Sequence, residues 1–150
     1  MNRRTVLRRA GLAALLAFWG RPMLSFAAQP NKAAFEAKTL ADALKALTAT
    51  DAAESKDILI KTPDIAEDGA IVPVEVTSKI PNTQSISLLV DKNPFPLIAT
   101  YDFANGAESF VSTRIKMAET SKVRALVDAG GKLYTASKEV KVTIGGCGDG

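Results

Sequence analysis

The sequence contains no histidine and only one cysteine in 150 residues. Without histidine, the chain cannot build His-ligated zinc or copper sites, a Ser–His–Asp triad or a Cys–His nucleophile. A single cysteine excludes a C-x-x-C redox pair and the internal disulfide of antibody-type domains. No glycine-rich loop follows a predicted strand and opens a helix, so nucleotide binding is not indicated. Cys147 is the one residue left with distinctive chemistry.

The excess of positive over negative charge comes entirely from the first 27 residues. That segment holds five of the 19 basic residues and no acidic one, so the formal net charge changes from +3 for the whole chain to −2 (14 basic against 16 acidic) for the remainder. A remainder without a basic cluster is not expected to bind nucleic acid or a membrane surface. Its length of about 120 residues suits one domain with a single core.

Residues 1–28 have the pattern of an export signal. Arg3 and Arg4 form the pair of a twin-arginine motif, and the apolar run that follows is shorter than the ~20 residues that a spanning helix needs. Small residues at Ser25 and Ala27 suit a signal peptidase. We expect twin-arginine export to the periplasm, with no membrane attachment after cleavage. A short membrane anchor is the less favoured alternative.

After the signal, residues 29–144 are predicted to form one domain that begins with a short helix. The helix is expected over residues 40–47, where Thr39 is a suitable N-cap and leucines recur at helical spacing, at positions 40, 44 and 47. So short a helix is not stable alone in water. Its leucine stripe should therefore pack on the sheet or on a partner.

The rest of the domain has the period-two alternation of β-strands. Turn residues such as Asn105-Gly106 and Gly130-Gly131 separate the runs. Strands are predicted over residues 58–61, 70–80, 85–90, 97–103, 110–117, 122–127 and 133–144. About seven short strands without helices between them indicate a mainly β fold, an Ig-like antiparallel β-sandwich. Pro73 lacks an N–H group, so its strand is expected at a sheet edge or with a bulge.

Two other segments allow more than one interpretation. Asp64, Glu67 and Asp68 could bind calcium, but the alternating spacing of a calcium loop is missing and a solvated turn is favoured. Phe95 lies between two prolines and could be an exposed interaction residue, although packing against the core is favoured.

Cys147 lies in a glycine-rich C-terminal arm, residues 145–150. Gly145, Gly146 and Gly148 flank the thiol, and the arm directly follows the last predicted strand. Glycine visits positive φ freely, and termini outside sheets or helices are usually poorly ordered, so a flexible arm is predicted. The residues alone leave two possibilities, an intermolecular disulfide or a functional thiol. The glycines favour the second, because a structural disulfide gains nothing from a flexible approach.

Several motifs along the chain resemble one family. They are the twin-arginine signal, Ala66-Glu67-Asp68-Gly69-Ala70-Ile71-Val72-Pro73-Val74, Lys92-Asn93-Pro94, Ser112-Thr113-Arg114-Ile115-Lys116-Met117 and the ending Lys141-Val142-Thr143-Ile144-Gly145-Gly146-Cys147-Gly148. Together they resemble the SoxY family, the sulfur-carrier subunits of the periplasmic thiosulfate-oxidising Sox system.

The resemblance implies a carrier and not an enzyme, with no cofactor of its own. It implies an Ig-like sandwich in a heterodimer with SoxZ, and Cys147 as the covalent attachment site for sulfur intermediates from thiosulfate or sulfide. It also implies transient docking to the haem c protein SoxAX, the hydrolase SoxB and, in some systems, a molybdenum–haem sulfane dehydrogenase. The family usually ends in GGCGG, whereas Asp149 here adds a carboxylate that disfavours the thiolate and repels an anionic adduct.

Overall fold

A computed structural model of the protein describes residues 29–104 and 106–144. The predicted export signal, residues 1–28, and the arm, residues 145–150, lie outside the described residues. No helix in the described part of the chain is long and apolar enough to cross a membrane.

Two short helices, α1 (Lys32–Glu36) and α2 (Leu40–Ala46), precede the strands. Each begins at a side-chain cap, because the Asn31 Oδ1 atom accepts from the Ala34 amide and the Thr39 hydroxyl accepts from the Asp42 amide, both at 3.1 Å. The helix predicted over residues 40–47 is therefore confirmed, with its cap at Thr39.

Nine strands follow in the described residues, more than the seven predicted. They are β1 (Ala53–Glu54), β2 (Ile58–Lys61), β3 (Ile65–Asp68), β4 (Val72–Ser78), β5 (Thr83–Val90), β6 (Leu97–Asp102), β7 (Phe110–Ile115), β8 (Ser121–Ala129) and β9 (Lys132–Ile144). The two that the pattern did not predict, β1 and β3, have two and four residues. Two residues are too few to show a period, and in β3 only Ile65 and Ala66 are apolar.

The strands form a large and a small sheet. The large sheet has the order β1-β9-β8-β5-β6, with β3 also paired to β9, and the small sheet has the order β2-β4-β7. All pairs are antiparallel except β1 and β3, which run parallel to β9. This is a mainly β fold consistent with an Ig-like β-sandwich, as predicted, although it is not purely antiparallel.

Two hydrophobic clusters hold these layers together. The first lies between the sheets and includes Val74, Leu88 and Val127, each at most 1% exposed. The second joins the helices to the large sheet, where Leu89 and Leu126 contact the apolar side of α1 and α2. Successive residues of a strand point to opposite faces, so β8 is buried on both faces near its centre and β5 over its C-terminal half. The leucine stripe of α2 thus packs on the protein's own sheet.

Pro73 does not mark an edge strand, because β4 is the central strand of the small sheet. The register explains how the proline is accommodated. β2 ends at Lys61, opposite Glu75, so Pro73 has a partner only on the β7 side, at Arg114. The prediction was wrong for the strand as a whole, although at Pro73 itself the small sheet has one neighbour.

Candidate functional site

The predicted site residues lie outside the residues that the structure describes. These are the sulfur attachment residue and its flanking glycines, together with the export pair, namely Cys147, Gly145, Gly146, Gly148, Arg3 and Arg4. What the structure does define is the base of the arm, because Ile144 ends both β9 and the described chain.

One side of the arm base is fixed by β3. The amide of Gly69 donates to the carbonyl oxygen of Ile144 at 2.7 Å, and the Thr143 hydroxyl donates to the carbonyl oxygen of Glu67 at 2.9 Å. The parallel register of β3 with β9 continues to the pair Asp68 and Ile144. The last residue before the arm is therefore held by a strand that is more than 70 residues away in sequence.

A second contact comes from the turn between β7 and β8. The Thr120 hydroxyl accepts from the amide of Val142 at 2.9 Å. Thr120 directly precedes β8, whose first residue Ser121 is paired with Val140. The side-chain hydroxyl thus continues the contact between β8 and β9 beyond their last backbone pair, as far as Val142.

Three loops surround the arm base, and we call this part of the protein the arm end. It consists of residues 69–71, 91–96 and 116–120 together with Ile144. The strand register places these loops at one end of the sandwich, since it pairs Val72 with Ile115, Val90 with Val123 and Ser121 with Val140.

The loop of residues 91–96 is tied firmly to the neighbouring strand. Asp91 receives hydrogen bonds from Nε and Nη2 of Arg124 at 3.1 and 3.0 Å, and these two side chains are only 17% and 19% exposed. The amide of Lys92 donates to the Ser121 hydroxyl at 3.0 Å. A bidentate, half-buried pair of this kind is stronger than an exposed ion pair.

Asn93 connects this loop to the next one. Its side-chain nitrogen donates to the carbonyl oxygen of Lys116 at 2.8 Å, and its side-chain oxygen accepts from the amide of Ala118 at 2.9 Å. Asn93 is 8% exposed, so both polar atoms are used where water is largely excluded. From sequence, Asn93 was noted only as part of the motif Lys92-Asn93-Pro94, and Thr120 was not singled out. At Asn93, a polar residue before proline was the only local signal.

Apolar side chains are exposed around the arm base. Ile144 is 68% exposed and Ile71 is 62% exposed, whereas Met117 between the loops is fully buried. Phe95 is 47% exposed, with the Lys38 ammonium 5.1 Å from its ring centre. The prediction that Phe95 packs against the core was therefore wrong. The next residue, Pro96, is buried instead.

The acidic segment next to the arm base is a strand and not a solvated turn. Asp64 forms an ion pair with Lys138 at 3.0 Å, and Asp68 accepts from the amide of Ala70 at 2.7 Å. Within residues 29–104 and 106–144, no three histidine, cysteine, aspartate or glutamate side chains are grouped so that they could hold a metal ion. Asp64 thus contacts β9 from the residue before β3, and Asp68 caps the end of β3.

Fold and site together define a small β-sandwich protein whose last strand, held on two sides, leads directly into a segment with a lone thiol. A family profile described as sulfur oxidation protein SoxY matches residues 44–147, which is more than half of the chain. The protein belongs to the SoxY family. No curated protein sequence matches the chain.

Solved structures agree with this assignment. The chain is similar to the sulfur carrier protein SoxY from Chlorobium limicola f thiosulfatophilum, with 44% sequence identity and a TM-score of 0.63 over 71% of this chain and 97% of that one. A superoxide reductase (neelaredoxin) from Ignicoccus hospitalis matches with 23% identity and a TM-score of 0.51, over 57% of this chain and 79% of that one. At that identity the second similarity concerns the fold alone.

Proposed function

We propose that this protein is a periplasmic sulfur carrier that holds sulfur intermediates covalently on Cys147. The observation that carries the proposal is that the match to the SoxY family extends as far as Cys147. The 44% identical protein from Chlorobium limicola is named a sulfur carrier. The position of the thiol supports the same role, since Cys147 follows Ile144 after only two glycines. Three residues span at most roughly 10 Å.

The loading chemistry requires a partner that accepts electrons. The Cys147 thiolate and thiosulfate (S2O3²⁻) join through a new S–S bond to give Cys–S–S–SO3⁻, and two electrons pass to the haem c protein SoxAX. Water then cleaves the terminal S–S bond at SoxB, releasing sulfate and two protons and leaving Cys–S–S⁻. The sulfane sulfur left on Cys147 is the substrate for a sulfane dehydrogenase where the host has one. The carrier's own part is nucleophilic attachment through the thiolate.

In this proposal the protein is a covalent substrate and not an enzyme. The β-sandwich supplies a docking surface and a short tether, which raises the concentration of the bound sulfur at the active site of a docked enzyme. We propose a heterodimer with a SoxZ-like β-sandwich as the form that docks to SoxAX and SoxB. Export through the twin-arginine pathway, with Arg3 and Arg4 as its signal, would deliver the chain to the periplasm.

Replacing the thiol tests the proposal. Cys147→Ser is expected to fold and to co-purify with the SoxZ-like partner, because residue 147 lies beyond the last strand. In a reconstituted system with the partner enzymes, the variant should show no thiosulfate-dependent electron transfer. Activity equal to that of the wild type would contradict covalent carriage on Cys147.

The alternative is a non-catalytic β-sandwich that forms an intermolecular disulfide through Cys147. It follows from the single cysteine, which has no partner within the chain. Under this alternative, the non-reduced protein would migrate as a dimer and carry no sulfur adduct. Reduction would then change its association state without altering any sulfur-oxidising activity.

A further inference from the structure

The side-chain amide of Asn93 bridges two backbone groups of the neighbouring turn at the arm end. Its two polar side-chain atoms contact backbone on either side of Met117, through the carbonyl of Lys116 and the amide of Ala118. A carbonyl oxygen can only accept and an amide N–H can only donate, so these partners fix the orientation of the side-chain amide. Asn93 therefore holds the centre of the turn between β7 and β8 in place.

The same turn is linked to the arm base by two further hydrogen bonds. The amide of Met117, the residue that Asn93 brackets, donates to the carbonyl oxygen of Gly69 at 2.7 Å. The amide of Gly69 donates in turn to the carbonyl oxygen of Ile144, also at 2.7 Å. Met117 and Gly69 are buried, so water cannot easily replace either bond.

The loop that carries Asn93 is fixed by other contacts. Asp91 is bound by Arg124, and the amide of Lys92 is bound by Ser121. The loop is thus held by contacts other than the Asn93 side chain, and that side chain contacts the turn.

We propose that Asn93 is a positioning residue for the arm: through Met117 and Gly69 it fixes the carbonyl of Ile144, from which the arm begins. The inference rests on the proposed function, in that it concerns how the carried sulfur reaches a partner's active site. Only Gly145 and Gly146 separate Ile144 from Cys147. With so short a connection, which extends over at most roughly 10 Å, a displaced arm base shifts the region that the sulfur can reach.

Two rates measured at Cys147 separate positioning from thiol chemistry. The thiolate attacks the disulfide of 5,5′-dithiobis(2-nitrobenzoic acid) and expels one thionitrobenzoate, a reaction that needs no docking. The second rate is that of loading with thiosulfate by the haem c partner, measured from the electrons that the partner accepts. This reaction requires docking and requires that Cys147 reach the partner's active site. For Asn93→Ala we expect the first rate to stay within twofold of the wild type. We expect kcat for loading to fall at least fivefold with little change in KM, because the docking surface is intact.

A second variant and a control accompany this measurement. Asn93→Asp keeps the acceptor for the Ala118 amide but loses the donor to Lys116, and it should give an intermediate loading rate. Thr135→Val also removes a buried side-chain hydrogen bond, from Thr135 to the carbonyl oxygen of Ala125 at 3.1 Å, but near the start of β9 and far along the strand from Ile144. The control should load like the wild type.

Amide hydrogen exchange tests the structural link independently of loading. In Asn93→Ala the amides of Gly69 and Met117 should exchange at least tenfold faster relative to that of Val90, and in Thr135→Val they should not. Wild-type loading kinetics in Asn93→Ala, equal losses of both Cys147 rates, or an equal effect of Thr135→Val would each overturn the inference. If the wild-type protein itself is not loaded, the proposed function is wrong. Unchanged amide hydrogen exchange at Gly69 and Met117 in Asn93→Ala would, independently of loading, overturn the role of Asn93.

Discussion

Replacing Arg124 by methionine removes the half-buried ion pair with Asp91 at the arm end. Two hydrogen bonds to a charged group are lost, each of which contributes about 1.5–3 kcal/mol. The Asp91 side chain is 17% exposed, so hydrogen bonds to water can replace part of the lost free energy. Methionine preserves most of the apolar stem of arginine. We therefore expect a loss of about 2 kcal/mol in the free energy of unfolding, well below the 3–5 kcal/mol of a fully buried pair.

Urea unfolding of the protein measures this loss, and a double-mutant cycle with Asp91→Asn isolates the interaction energy between Asp91 and Arg124. For a domain of this size, about 2 kcal/mol corresponds to a fall in melting temperature of roughly 8 °C. The matched control is Lys92→Met, because Lys92 pairs with Glu119 at the same end of the sandwich at 3.4 Å, with both side chains more than 60% exposed. The control should cost no more than ~0.5 kcal/mol.

The cycle also gives the result that would refute this reasoning. We expect a coupling energy of at least about 1 kcal/mol between Asp91 and Arg124, since they are in direct contact. A coupling near zero, or an equal cost for Lys92→Met, would mean that partial burial does not strengthen the pair. The arm end would then be held by its backbone and amide contacts alone.

Two other predictions concern the helices and the arm. Leu126→Ala leaves a cavity beneath α1 and α2, where Leu126 is 4% exposed, and should cost about 3 kcal/mol in urea unfolding; a loss below ~1 kcal/mol would show that the helices do not depend on this contact. Gly146→Val should leave the melting temperature unchanged, because residue 146 follows the last strand, yet slow enzymatic loading of Cys147. Loading as fast as in the wild type would show that the backbone freedom of glycine is not required.

The sheet architecture could be predicted where strands bury one face or both. The alternation in β4, with Val72, Val74 and Val76 buried, is visible in sequence, and so is the continuous apolar run that ends β5. The prediction failed for β3, where Pro63 and the acidic residues resemble a turn. That strand forms because it pairs with β9. Its partner residues are far away in sequence, as in the pair Ile65 and Lys141, so no local pattern predicts the pairing.

The candidate site divides in the same way. Cys147 could be selected from sequence because its residue type is unique in the chain and glycines flank it. Asn93, Gly69 and Thr120 could not be assigned a role, since their partners lie more than 20 residues away in sequence. Contacts of this kind become visible only once the strand register brings the three loops to one end of the sandwich.

Mass spectrometry of Cys147 tests the central claim most directly. The protein would be purified with its partner from cells grown on thiosulfate, without reductant, and the peptide containing Cys147 would be compared with that from cells grown without a reduced sulfur source. Covalent carriage predicts sulfur-containing mass additions on Cys147 that appear with thiosulfate and are removed by dithiothreitol. An unmodified thiol under both conditions, or only a peptide–peptide disulfide at Cys147, would contradict it.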